Sequence, residues 1–304
     1  METSVHIPVL LHEILEGMIQ DSRFMNHESV TYLDGTLGGA GHARAIADLF
    51  KGKIHVIAFD RDEKAIERAH QTLDGKTERL IVVHKSFRDM DTVLADYNIA
   101  GVDMILLDLG FSSDELDHSG RGFSFKKDEP LLMTLGDPKN YLFTAQDIVN
   151  RWNEEDIANV IFGYGEDRYA RRIAKKIVAY RERKPIETSG ELAEIVRQAV
   201  PQWGYSKTNP ATKTFQALRI AVNDELGALK EGLAKGYEAL NPGGKMAVIS
   251  FHSLEDRIVK DFFKKCKEER GAHIITKKPI VPGPQEVAEN PRSRSAKLRI
   301  IEKI

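Results

Sequence analysis

Asp34-Gly35-Thr36-Leu37-Gly38-Gly39-Ala40-Gly41-His42 follows the apolar run Val30 to Leu33 and precedes an alanine-rich segment with helical spacing. Glycines at this density suit a backbone that takes positive φ or passes close to a ligand. A strand feeding a helix start also aims unpaired N–H groups at that ligand. A second apolar run, Ile54 to Phe59, ends in Asp60, where an acidic side chain can accept both hydroxyls of a ribose. Glycine turn and spaced acid together predict a cradle for a nucleotide-type cofactor; the competing reading is a tight βα turn with no ligand.

The turn lacks the dinucleotide signature, because Arg44 stands where the third glycine of G-x-G-x-x-G belongs. Asp34 at the strand tip repels a phosphate and attracts a sulfonium or ammonium group. S-adenosylmethionine carries such a cationic end, and we expect it as the cofactor, with Asp34, Gly38 and Asp60 among its contacts.

Further buried-strand patterns occur at Leu80 to His84, Met104 to Leu107 and Lys245 to Ser250, with helical stretches separating the first four runs. Two last strands are expected near Ile274 and at Leu298 to Ile301. The fold class is therefore α/β, a mostly parallel doubly wound sheet. A single helix is expected from about Thr212 to Leu240, closed by Asn241-Pro242-Gly243-Gly244, and another from Leu254 to about Glu268.

Between Leu109 and Ala211 the alternation stops and only loops and helical periods remain, which predicts an inserted helical domain. We place the sheet domain at residues 1–112 and 213–304 and the insertion, read as substrate-recognising, at 113–212. Within it Arg168, Arg171, Arg172 and Lys175 share one helical face, opposite Ile173, Ile177 and Tyr180. That stripe is either a phosphate-binding surface or a solvated charged face. A second basic stretch, Asn290 to Arg299, offers Arg292 and Arg294 to phosphate.

The fourth strand ends in Asp108-Leu109-Gly110-Phe111-Ser112-Ser113, which puts Asp108 at the carboxyl edge of the sheet, where ligands bind in open α/β folds. The four residues Asp-Leu-Gly-Phe parallel the acid-and-aromatic motif of enzymes that methylate exocyclic amino groups. Such an amine is a poor nucleophile because its lone pair is delocalised into the ring. A carboxylate that accepts its N–H can orient it and stabilise the charge developing on nitrogen, while Phe111 stacks on an extruded base. A buried turn-capping Asp and a core Phe are the structural alternative. His252 leaves the fifth strand at the same edge and is a candidate substrate contact, with Ser253 and Asp256 spaced as a capping box. Arg121-Gly122-Phe123-Ser124-Phe125 combines a cation with two aromatics, suited either to base stacking, through Arg121 and Phe123, or to core insertion.

Charged residues make up 30% of the 304 and leave a formal net charge of −2, which excludes a generally basic nucleic-acid coat and confines any polyanion to a local patch. Cys266 is the sole cysteine, so no intrachain disulfide or multi-cysteine metal site forms, and a reducing cytoplasmic setting fits. No metal is expected, and no targeting or membrane-spanning segment is read from the chain.

With these segments in order, the chain resembles the bacterial cytosine-N4 methyltransferase family (MraW/RsmH type) that modifies a cytidine of small-subunit ribosomal RNA. The match runs from His6-Ile7-Pro8-Val9-Leu10-Leu11 onward. It includes the glycine turn, Leu106 to Ser113, Arg121 to Phe125, Pro210 to Arg219, Ser250 to Arg257 and Asn290 to Arg299. The resemblance implies a class I (Rossmann-like) methyltransferase domain interrupted by a helical substrate domain, with S-adenosylmethionine as donor. It implies N4 methylation of a cytidine in the decoding region of 16S ribosomal RNA, as the assembled small subunit or as free RNA, a choice the sequence leaves open. Cofactor contacts carried over fall on Ala40, Gly41, His42, Asp60, Phe87, Asp108 and Glu115. Lys213, in the Pro210 to Arg219 motif, joins Arg121, Phe123, Arg168, Arg172, Arg292 and Arg294 as an expected substrate contact. Ala40 stands where the family has Gly, Glu115 where it has Gln, and Pro130-Leu131-Leu132-Met133-Thr134-Leu135 where it reads Pro-Leu-Asp-Met-Arg-Met. A homodimer is an open alternative, as are a nicotinamide-dependent oxidoreductase and a catalytically silent subunit-assembly factor.

Overall fold

A computed structural model describes residues 7–19, 24, 29–110, 119–201 and 209–304. The chain divides into two compact units, one of Met1–Ser112 with Leu226–Ile304 and one of Ser113–Glu225.

The first unit contains α1 (Leu11–Ile19), β1 (Val30–Asp34), α2 (Gly41–Phe50), β2 (Ile54–Asp60), α3 (Glu63–Leu73), β3 (Arg79–His84), α4 (Met90–Asp96) and β4 (Val102–Asp108). The second unit supplies α5 (Ala145–Arg151), α6 (Glu154–Gly165), α7 (Ala170–Arg181), α8 (Ser189–Ala199) and α9 (Ala211–Asn223). The first then resumes with α10 (Glu225–Ala239), β5 (Leu240–Ser250), α11 (Ser253–Arg270), β6 (His273–Ile274), α12 (Pro284–Glu289) and β7 (Lys297–Glu302).

The seven strands lie in the order β3-β2-β1-β4-β5-β7-β6. Pairs among β1 to β5 are parallel, and β7 runs antiparallel between β5 and β6. Side chains alternate across the sheet because successive Cβ atoms point to opposite faces. Tyr32, Val56, Ala58, Met104, Leu106, Ala247 and Ile249 enter one core with α1 and α2. Leu33, Ile57, Phe59, Ile105, Leu107, Met246 and Val248 enter the other with α4, α10 and α11. Burial on both faces is why these strands read as continuous apolar runs.

Two expectations fail locally. The helix expected from 212 to 240 is broken at Asp224, which takes a left-handed conformation (φ 48°) while its amide donates to Ile220 O. Asn241-Pro242-Gly243-Gly244 lies inside β5, whose register against β4 shifts between Val102 and Met104. The second unit runs on to Glu225, beyond position 212, because α9 packs on α6 and α8. Among the described residues that unit holds helices and no strand, with one isolated bridge between Pro130 and Thr188.

Candidate functional site

The strand order reverses between β1 and β4, and open α/β sheets bind ligands outside the carboxyl ends of strands at such a point. Register fixes the shape there. Asp34, the end of β1, pairs with Ala58 of β2 and Leu106 of β4. Both neighbours continue two residues further, to Asp60 and Asp108, roughly 6–7 Å along the strand direction. The glycine turn thus leaves β1 in a notch flanked by two carboxyl-bearing strand tips. It is stitched to both walls: the Gly35 amide donates to Leu106 O (2.9 Å) and the Leu37 amide to Phe59 O (3.0 Å).

Asp34 is 2% exposed. Its Oδ2 accepts from the Tyr32 hydroxyl (2.9 Å) and its Oδ1 from the Thr36 amide (3.1 Å). Burial raises its pKa to about 6; His42, the Thr36 amide and Tyr32 pull it down by less, and Asp108 adds to the rise. Burial also raises Asp60, whose Oδ2 accepts from the Gly38 amide (2.7 Å) and Oδ1 from the Asp62 amide (2.8 Å). Gly38 holds φ at 50°, the left-handed region open to glycine at little cost, and this turns its amide toward Asp60. The Asp108 amide donates to Thr36 Oγ1 (2.6 Å), so the turn also braces the tip of β4.

His42 lies in the first turn of α2, 7% exposed. Its Nε2 is 2.9 Å from Val9 O, and a carbonyl only accepts, so Nε2 carries the proton and Nδ1 presents its lone pair. Nδ1 lies 3.8 Å from Asp108 Oδ2. Burial pushes the imidazole pKa below its usual value, which keeps the ring neutral at pH 7. Ala40, the N-cap of α2, is left-handed (φ 58°), and no side chain caps the helix. The first amides of α2 are therefore available to an anion at a helix N-terminus.

A buried acid lacking a full counter-charge, beside an uncapped helix start, fits a zwitterion whose ammonium and carboxylate sit close together. S-adenosylmethionine has such an end, together with a ribose whose hydroxyls match a carboxylate with lone pairs to spare, as at Asp60.

Other expected residues are placed as follows. Phe87 follows β3 in a one-turn 3-10 helix, Phe87–Asp89, with its ring against the backbone of Gly232. Phe111 and Glu115 lie outside the described residues. His252 does not stand ahead of a Ser253–Asp256 capping box. It is itself the N-cap of α11: its Nδ1 accepts from the Glu255 amide, and Glu255 Oε2 accepts from the amides of Phe251 (2.8 Å) and His252 (3.2 Å). Asp256 instead binds Arg299 Nε (2.7 Å) and Lys297 Nζ (3.4 Å). Although burial opposes its charge, these two cations hold the Asp256 carboxyl below the usual range. The basic stretch thereby divides, with Arg299 buried and ion-paired while Arg292 and Arg294 stay exposed.

In the second unit Phe123 is 7% exposed, so its ring packs inward and the core-insertion reading holds there; Phe125 meets Phe215 edge-on at 5.3 Å. Arg121 Nη1 donates to Thr134 O (3.0 Å), and Asn223 brackets the same loop through Met133 O (2.7 Å) and the Leu135 amide (3.0 Å). Arg121 is thus committed to holding the Leu132 to Leu135 segment. Lys213 Nζ donates to Glu166 O at the end of α6. Arg168 and Arg172 are exposed. Tyr32 and Thr36 were missed by the sequence reading, although Tyr32 sits two residues before Asp34 and hence on the same face of β1.

Sheet order, the reversed seventh strand and the acid-flanked turn at the switch point define a class I methyltransferase. The MraW methylase family matches residues 3–304, and the chain belongs to that family. It is similar to Ribosomal RNA small subunit methyltransferase H of Heliobacterium modesticaldum, 45% identical over 316 residues and covering 98% of each chain. The protein of the same name from Geobacter sulfurreducens is 46% identical over 320 residues, covering 99% of this chain and all of the relative. That of Deinococcus deserti is 46% identical over 307 residues, covering all of this chain and 95% of the relative.

Proposed function

We propose that this chain methylates the exocyclic N4 of a cytidine in the decoding region of small-subunit (16S) ribosomal RNA, acting in the cytoplasm on the assembled subunit. The observation that carries the reading is the notch at β1, where buried Asp34 lies between the carboxyl-bearing tips of β2 and β4. The name borne by the relatives supports ribosomal RNA as substrate.

When bound, S-adenosylmethionine supplies an electrophilic methyl on a sulfonium centre. Asp34 would neutralise the donor's cationic end, the amides of Gly41 and His42 would receive its carboxylate, and Asp60 would accept hydrogen bonds from the ribose hydroxyls. Phe87 and Glu115 complete the contacts carried over from the family. Asp108 accepts an N–H of the cytidine amine, aligns its lone pair with the methyl carbon and offsets the charge arriving on nitrogen. Phe111 stacks on the base. The second unit recognises substrate, with Arg168 and Arg172 against phosphate; in the first unit Arg292 and Arg294 are phosphate contacts in their own right. His252, Arg121, Phe123 and Lys213 serve the fold at the positions described above.

The test is methyl transfer from labelled donor to small subunits from cells lacking this protein, with the modified nucleoside mapped by mass spectrometry. Label on a cytidine N4 of 16S RNA is expected. Cofactor binding with no label on subunits replaces this reading with a silent assembly factor.

A further inference from the structure

Phe162 and Tyr164, in the last turn of α6, are 65% and 36% exposed, and neither ring contacts another ring or cation among the described residues. Two residues apart on one helix, the rings leave it on different sides, and Phe162 is the more exposed of the two. After a four-residue turn, α7 begins at Ala170, and its exposed face carries Arg171, Arg172, Lys175 and Lys176, with Arg168 just ahead. None of these five cations makes an ion pair among the described residues. Arg168 lies over the Tyr169 ring at 4.8 Å. In the connecting turn Asp167 is buried with its Oδ1 on the Tyr169 amide, so Glu166 is the exposed acid there. In a chain of net charge −2, such a run is a local exception.

Cations alone accept any polyanion. Unpaired cations on the helix that follows an exposed, unstacked phenyl ring fit a narrower partner: duplex RNA hides its base faces, whereas a single strand offers each base to an aromatic and each phosphate to a cation. We propose that the corner between α6 and α7 is a docking surface for a single-stranded segment of the RNA substrate, with Phe162 as the base-stacking platform and the α7 stripe as its phosphate track. This rests on the RNA reading above and adds a site apart from the target cytidine. Lys213 and Gln216 support the corner from α9 by donating to Glu166 O (2.8 Å) and Tyr164 O (3.0 Å).

The test is binding of a fluorescein-labelled, unstructured 12-nucleotide RNA to the full chain, followed by anisotropy across a salt series without cofactor. Phe162→Ala should weaken binding about tenfold and leave the salt slope unchanged, because stacking releases no counterions. Arg171→Gln with Arg172→Gln should weaken binding and reduce the slope by about 1.4, the single-strand value for two phosphates. Phe162→Trp should bind like the parent and show quenched indole emission. Unchanged affinity in Phe162→Ala, absence of quenching, equal loss on a duplex of the same length, or no binding by the parent overturns the proposal. Since the readout needs neither donor nor turnover, its failure is separate from failure of methyl transfer.

Discussion

The Tyr32 hydroxyl donates to Asp34 Oδ2 from two residues back on the same face of β1, so the deepest acid of the site is held by a neighbour that hydrogen-bonds it without neutralising it. Burial raises Asp34 from 3.8 to about 6. Between those values the folded chain binds a proton that the unfolded chain has released, so this group makes stability fall as pH rises, by about 3 kcal/mol at neutral pH. Asp34→Asn should therefore raise the Tm of the ligand-free protein at pH 7 while abolishing S-adenosylmethionine binding. In the parent, affinity should fall about tenfold per unit below pH 6, with a proton released on binding near that pH. Calorimetry in two buffers of different ionisation enthalpy checks this, and a pH-independent affinity contradicts it.

Asp108→Ala should lower single-turnover methyl transfer by about 10²- to 10⁴-fold, the range for a preorganised hydrogen-bond acceptor that orients the amine and stabilises its charge. Its cofactor Kd should move by less than about tenfold, because Asp34, Asp60 and the start of α2 are untouched. Near-normal labelling of small subunits would remove Asp108 from the chemistry.

His252→Asn should leave both stability and transfer close to the parent, since Asn caps helices as well as any residue. Glu255→Ala should cost about 2 kcal/mol in denaturant unfolding, because it strands the amides of Phe251 and His252 at the start of α11. A collapse of turnover in His252→Asn with fold and cofactor binding intact would restore a chemical role.

Gly165→Ala should destabilise the second unit by about 1–3 kcal/mol, because a Cβ there would lie 2.6 Å from the backbone carbonyl oxygen of Lys213, where α6 and α9 meet backbone to backbone. Urea unfolding followed by the fluorescence of Trp152 and Trp203 reads it.

Ala40 sits at φ 58° and is fully buried. Left-handed strain of about 1–2 kcal/mol is offset by about 0.8 kcal/mol from its buried methyl and by the lower chain entropy of Ala in the unfolded state. Ala40→Gly should therefore change stability by less than about 1 kcal/mol. Ala40→Val, which adds branching at positive φ in a filled space, should cost about 3 kcal/mol. Denaturant titration of both variants separates the two terms.

The sheet was legible because both faces are covered, which turns each strand into an apolar run ending in a polar tip. Asp34, Asp60 and Asp108 therefore fell at the correct edge from spacing alone. What escaped depends on single residues. One left-handed Asp224 ends a helix whose pattern continues through it, and the cap of α11 sits one position ahead of the Ser253–Asp256 spacing that mimics it. Phe123 is flanked by cations and yet packs inward, while Phe162 follows an apolar helical run and yet faces solvent, a difference set by tertiary packing.

β7 has a kinetic consequence. Residues 297–302 are inserted between β5 and β6, so the backbone groups along one side of β5 have no partner until that late segment emerges from the translating machinery. A nascent chain halted before Lys297 carries an open edge beside the strand that positions Asp108, which makes such stalled products the prime candidates for chaperone capture or aggregation.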